Sequence, residues 1–185
     1  MDVTLVTSNP GKHREIEAIL APYGVRVRAL SRTLVEPQAE RLETVVDAKL
    51  DQLSSLRGFV IVEDSGLFID ALGGFPGVYS AYVLQTLGLP DLLRLLEGKP
   101  RAATFRTVAG LRRGKRHWLF PGEVRGTIAQ RPRGRGGFGY DPVFVPSGAR
   151  STYAQASVAQ KNESSHRAIS FRALGMFLSR QSPRL

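Results

Sequence analysis

Two short apolar runs, Val3-Thr4-Leu5-Val6 and Phe59-Val60-Ile61-Val62, constrain the fold of this chain more than any other feature. Each has strand length and β-branched character, and each ends abruptly in residues that carry chemistry. The first runs into Thr7-Ser8-Asn9-Pro10-Gly11-Lys12 and the second into Glu63-Asp64-Ser65-Gly66-Leu67. Between them, Asn9 reads as an N-cap with Pro10 at the first helical position, and that helix extends to about Ala21. A strand follows over Val25 to Leu30, then a long helix from about Gln38 to Leu56. Strands alternating with helices predict a largely parallel α/β sheet, whose strand ends bring a basic turn and a carboxylate pair to one edge. Each segment also has a plainer reading, as a well-capped helix and as an Asx-type turn closing a strand.

Composition narrows the partners. The chain has 185 residues, 42% of them hydrophobic and 23% charged, which suits one domain over residues 1–185. It has no cysteine, which excludes disulfides, thiolate nucleophiles and Cys-ligated zinc. No apolar run approaches the ~18 residues of a membrane span, and no signal peptide precedes the first strand, so the expectation is a cytoplasmic protein without a membrane partner. The formal charge of +10 favours an anionic partner, either nucleic acid or a phosphorylated small molecule. Arg112-Arg113-Gly114-Lys115-Arg116 reads as a hairpin turn rather than a DNA contact. Around it, Arg101 to Ala129 is strand-like, with turns near Gly114 and Gly122. Helices are predicted over Asp91 to Glu97, with Leu92, Leu93, Leu95 and Leu96 inward, and over Glu163 to Arg180, with Ile169, Phe171, Leu174, Phe177 and Leu178 apolar.

Four constellations carry the functional signal. A helix N-terminus at Thr7 to Lys12 offers free amides and a positive dipole end to phosphate; Lys12 adds a charge, and Gly11 permits close approach of an anion. The spacing is neither a Walker A loop nor a dinucleotide fingerprint. On the second helix, Leu42, Val45, Val46, Leu50, Leu53 and Leu56 share one face at about 100° per residue. Lys49 lies in the middle of that face, so it either snorkels at the core rim or points a charge into a cleft. Glu40, Glu43, Asp47 and Asp51 form a solvated stripe opposite. Gly134-Arg135-Gly136-Gly137-Phe138-Gly139-Tyr140-Asp141-Pro142 is a flexible turn whose rings either stack on a purine or fill the core. Lys161-Asn162-Glu163-Ser164-Ser165-His166-Arg167 is either a surface helix start or a set of donors over an oxygen or phosphate.

Taken in order, these segments, with Gly73-Gly74-Phe75-Pro76-Gly77-Val78-Tyr79-Ser80-Ala81, resemble the inosine triphosphate pyrophosphatase family, the non-canonical purine NTP pyrophosphatases or XTP/dITP diphosphatases. The resemblance implies an elongated α/β domain with a mixed central sheet, two lobes and a deep cleft, commonly as a homodimer. It implies Mg²⁺-dependent hydrolysis of ITP, dITP or XTP to the monophosphate and pyrophosphate, with no nucleic acid required. By position, Asp64 would accept the proton of the attacking water and neighbour the metal, with Glu36, or its rival Glu40, as the second metal carboxylate. Thr7, Ser8, Asn9, Pro10, Gly11, Lys12, Lys49 and Ser65 would hold the triphosphate. Phe138, Gly139, Tyr140, Asp141, Lys161, His166 and Arg167 would frame base and sugar. Glu63 stands where many relatives carry Asp, and Gln155 and Gln160 stand where acids are common. Two other classes are weighed against this one. A septum-inhibition-type pyrophosphatase of modified pyrimidine triphosphates would require a Ser-x-Ser-Pro-Arg-Arg pattern, which is missing here. A basic nucleic-acid-binding module would bind in a salt-dependent way without turnover.

Overall fold

The computed structural model describes residues 1–181. The expected alternation is present: β1 (Asp2–Val6), α1 (Pro10–Leu20) and β2 (Arg26–Leu30), then α2 (Leu42–Asp51) and β3 (Phe59–Ile69). β1 pairs in parallel with β2 on one side and with β3 on the other. The rest of the sheet is antiparallel. β5 (Ala102–Arg113) and β6 (Arg116–Ile128) form a long hairpin, β7 (Phe144–Pro146) closes the far edge, and the two-residue β4 (Pro76–Gly77) pairs with β3. The result is one seven-stranded mixed sheet in the order β2-β1-β3-β5-β6-β7.

β3 does not end at its carboxylates. It pairs with β5 without interruption from Phe59 to Ile69. On its other edge it pairs with β1 only through Ile61 and with β4 only from Leu67. Glu63, Asp64, Ser65 and Gly66 therefore lie on a continuous strand whose second neighbour is missing, and the expected turn there is corrected to strand. Gly66 serves close approach instead: a Cβ on it would strike the carbonyl of Gly77.

This gap divides the core. On one side, α1 and α6 (His166–Gln181) cover Val3, Leu5, Ile61, Ala109 and Leu111, while Val46 and Leu50 of α2 cover Val60, Val62 and Val108 on the opposite face. Beyond the gap, α3 (Ser80–Thr86) and α4 (Gly88–Leu95) lead into a second cluster around Leu67, Ile69, Leu92, Phe105 and Phe144. Two lobes thus share β3, β5 and β6. Among the described residues no helix is long and apolar enough to cross a membrane.

Several boundaries differ from the sequence expectations. α2 begins at Leu42, not Gln38, because the chain before it is captured in extended form: Gln52 donates to the Val35 carbonyl and accepts from the Val35 amide, both at 2.8 Å. The C-terminal helix is two helices, α5 (Val158–Ser164) and α6, broken at Ser165, whose ψ of 158° is extended. Leu95 is exposed rather than inward, and the apolar Ile169 is exposed as well. Gln155 and Gln160 each close a capping box, with Thr152 and Ser157. Gly114 does form the β5–β6 turn, but Gly122 sits inside β6, where a side chain would strike the His166 carbonyl and Ser170 of α6. Gly122→Ala should therefore push α6 off the sheet and lower the unfolding free energy by about 1–3 kcal/mol. Urea denaturation checks this, and an unchanged midpoint and slope would disprove the packing argument.

Candidate active site

The carboxylates of β3 point to opposite faces, as strand geometry requires. Glu63 meets α1 and α6, whereas Asp64 meets α2. Each finds a lysine. Lys12, in the first turn of α1, pairs with Glu63, and Lys49 of α2 donates to Asp64 Oδ1 at 2.8 Å. Lys49 also reaches Glu36 Oε1 at 2.7 Å and the Glu63 carbonyl at 3.4 Å. Its side chain is 8% exposed, so of its two readings the structure selects the charge directed into the cleft. Glu40 lines separate cavities along Phe68 and Arg106, away from Lys49.

A second network lies on the other side of Glu63. Ser65 donates to Glu63 Oε2 at 2.7 Å and shares a 2.6 Å hydrogen bond with Thr107. Arg167 donates to Ser65 Oγ at 3.1 Å and to Glu15 Oε2 at 2.6 Å. Lys161 donates to Glu15 Oε1 at 2.8 Å and to Asp141 Oδ2 at 2.6 Å, and the Phe138 amide also donates to Asp141. All these charged groups but Glu36 and Lys12 are buried. Such a set is tolerable only when each charge has a partner.

The network fixes protonation. Burial opposes charge on Glu63, but the ammonium of Lys12 and the guanidinium of Arg167 overcome it and hold that carboxyl well below the usual range. Burial raises Asp64 against the pull of Lys49 and Lys12, bringing it closer to the pH at which a carboxylate exchanges protons efficiently. Burial, then Arg167 and Lys161, push His166 well below an ordinary imidazole, so it is neutral. Its ring stacks on Phe105 at 4.1 Å, and neither ring nitrogen has a protein partner.

Two adjoining cavities receive most of these groups, while Asp64 and Glu15 stand behind their walls, reached through Lys49 and through Lys161 and Arg167. One, of about 350 Å³, is lined by Thr7, Ser8, Asn9, Lys12, Glu36 and Lys49. The other, of about 250 Å³, is lined by Ser65, Phe138, Gly139, Tyr140, Asp141, Lys161, His166 and Arg167, and shares Asn9 and Lys12 with the first. Larger cavities, of about 560 and 820 Å³, contain none of this buried ionic network. Chemistry, rather than size, identifies the site.

Some expected roles change on contact with the geometry. The Asn9 side chain already accepts from the amides of Gly11 and Lys12, at 2.8 and 3.1 Å, so these are not free for an anion. The space beside Gly11 is filled by the Phe138 ring, and Pro10 is exposed at the helix start. Tyr140 is buried and donates to the Ser80 carbonyl at 2.7 Å, which makes it a core residue rather than a stacking platform. Phe138 covers Lys161 and Arg167, 4.8 and 5.3 Å from its centroid. Glu15 was missed by the sequence reading, although it lies on the α1 face of Ile16 and Ile19, where an acid requires a buried partner. Thr107 was missed too, a polar residue in line with inward Phe105, Ala109 and Leu111.

Among the described residues no group of three or more His, Cys, Asp or Glu could cage a metal. Mg²⁺ needs no such cage, since it commonly takes one or two carboxylates and completes its shell with water and phosphate. Asp64 Oδ2 is buried without a partner and Glu36 lies across Lys49 from it, which fits that mode.

The sequence profile of the Ham1 family matches residues 3–177. The chain is 47% identical over 184 residues to a dITP/XTP pyrophosphatase of Pyrobaculum aerophilum, covering 98% of both chains. It is 48% identical over 170 residues to one of Methanopyrus kandleri, covering 90% of each. Among solved structures, the Ham1 protein of Staphylococcus aureus superposes with a TM-score of 0.84 at 29% identity, covering 98% of this chain and 100% of that one.

Two outcomes follow from the network. Glu15→Gln weakens the carboxylate that Lys161 and Arg167 share and should cost about 3–5 kcal/mol in chemical denaturation. A loss below 1 kcal/mol would show that the other partners suffice. For His166, the folded state refuses a proton that the unfolded chain accepts below about pH 6.5, so its contribution is full above that pH and falls as pH drops, by about 1.4 kcal/mol per unit. His166→Phe should remove that component between pH 6.5 and 5.5, and an unaltered pH slope would contradict a neutral buried imidazole.

Proposed function

Because the chain belongs to the Ham1 family, we propose that it hydrolyses non-canonical purine nucleoside triphosphates, dITP, XTP and ITP, to the monophosphate and pyrophosphate. The names of its relatives support this substrate class. The observation that carries the reading is Asp64, held by Lys49 through one oxygen and unpartnered at the other, in a sheet gap flanked by a second lysine.

In this proposal the triphosphate lies in the cavity of Thr7, Ser8, Lys12 and Lys49, and the base enters the cavity of Phe138, Lys161, His166 and Arg167. Asp64 and Glu36 would hold Mg²⁺, which when bound supplies positive charge to the oxygens around the scissile bond. Lys49 keeps the Asp64 carboxylate oriented, and Asp64 accepts the proton of the attacking water. Lys12 and Lys49 offset the charge that develops on departing pyrophosphate; such charge stabilisation is the main requirement of phosphoryl chemistry. Among the described residues no side-chain hydrogen bond links a serine to a histidine, in keeping with direct attack by water.

Base choice follows from donors. Hypoxanthine and xanthine present an oxygen where adenine presents an amino group. Arg167 Nε is buried without a partner, as are both nitrogens of His166, so an oxo group satisfies a donor that adenine leaves orphaned. Lys161 contributes indirectly, since Glu15 and Asp141 already engage it. A homodimer belongs to the same proposal, supported by the exposed aromatic surface of Phe75, Tyr79 and Tyr82. A cytoplasmic location follows from where such nucleotides are made and used.

Product analysis with Mg²⁺ and ITP, alongside ATP and GTP, tests the reading. Monophosphate and pyrophosphate from ITP, with little from ATP, is expected, whereas IDP and inorganic phosphate would mean attack at the wrong bond. Asp64→Asn should reduce kcat by about 10²–10⁴-fold while leaving the fold intact.

A further inference from the structure

The Lys49 ammonium has three donors, and the structure directs them to three oxygens: Glu36 Oε1 at 2.7 Å, Asp64 Oδ1 at 2.8 Å and the Glu63 carbonyl at 3.4 Å. Two of these belong to the carboxylates that hold the divalent ion in the function proposed above. We propose that Lys49 is the resident counter-ion of that pair, and that Mg²⁺ gains Glu36 alongside Asp64 only when a triphosphate draws the ammonium off Glu36. The inference rests on the metal reading of Asp64 and Glu36.

The argument is one of competition. A compact ammonium at hydrogen-bond distance from both carboxylates occupies Glu36 Oε1 and repels a divalent ion approaching the free Asp64 Oδ2, and in a partly buried site that repulsion is weakly screened. Lys12 offers no relief, because it is engaged by Glu63. The partners differ in how readily they release Lys49. Asp64 is part of a central strand and its side chain is 10% exposed. Glu36 is 54% exposed, on an extended segment held by the Gln52 amide at the neighbouring Val35. Lys49 can therefore turn from Glu36 towards the cavity it shares with Lys12, Thr7 and Ser8 while remaining anchored to Asp64. The phosphates supply the anion that makes this turn favourable. Metal binding then depends on nucleotide, and free Mg²⁺ does not charge the enzyme in advance.

The test is Mn²⁺ binding to nucleotide-free protein, followed by calorimetry and by electron paramagnetic resonance, with wild type beside Lys49→Gln and Lys49→Met. Both variants should bind one Mn²⁺ roughly tenfold or more tightly than wild type, and Mn²⁺ should raise their melting temperature but not that of wild type. Adding Glu36→Gln to Lys49→Gln should abolish the gain, which assigns it to this pair. Equal Mn²⁺ affinity in wild type and both variants, or weaker binding in the variants, overturns the competition. If wild type binds Mn²⁺ with a non-hydrolysable dITP analogue yet the variants show no gain without it, the metal reading stands and this inference fails. If no protein binds Mn²⁺ under either condition, both fail.

Discussion

The structure depends on a strand that loses one neighbour without losing the other. From Phe59 to Ile69, β3 keeps an unbroken ladder with β5, while on its opposite edge β1 departs after Ile61 and β4 arrives at Leu67. Hydrogen bonding on one side suffices to hold the backbone straight through the gap. The side chains in the gap are thus presented from a rigid element instead of a loop, with alternation sending Glu63 and Asp64 to opposite faces. The two lobes, the two cavities and the separate lysines follow from that arrangement.

Placing so many charges beside a break in the sheet has a cost that the network offsets internally. Glu15, Glu63, Asp141, Lys161 and Arg167 are each nearly inaccessible, and each engages at least one opposite charge. Such a set does more to specify geometry than to add stability, since an apolar core of equal volume would cost less to desolvate. It also explains why Arg167 and Lys161 can be held rigidly beside the cavity of Phe138 and His166. Their long side chains have already surrendered their freedom in folding, so less is lost on meeting a ligand.

Much of this was legible in the sequence where a signal is local. The β-branched runs, the Asn9 cap and the Gly114 hairpin need no tertiary context, and they occur as read. The inward face of α2 was legible from periodicity, including the anomaly of Lys49, although whether that lysine faced water or a cleft depended on where β3 and Glu36 lay. What failed was set by partners distant in sequence. Glu63-Asp64-Ser65-Gly66 resembled a turn because polar residues and glycine normally end strands, yet β5 carries the strand onward. Gly122 resembled a turn for the same reason, though α6 lies against it. Glu15 gave no motif signal, since its partners lie some 150 residues away in the chain.

The gap in β3 also creates an edge strand inside the molecule. A free edge of amides and carbonyls invites another strand to add to it, and proteins guard such edges with short length and charge. Here the opening spans only the few residues between Ile61 and Leu67. One of its carbonyls, that of Glu63, is engaged by Lys49, and Lys12 stands beside it. The charges at the candidate site thus also act as gatekeepers against β-augmentation, so a neutralising change there bears on self-association as well as on the proposed chemistry.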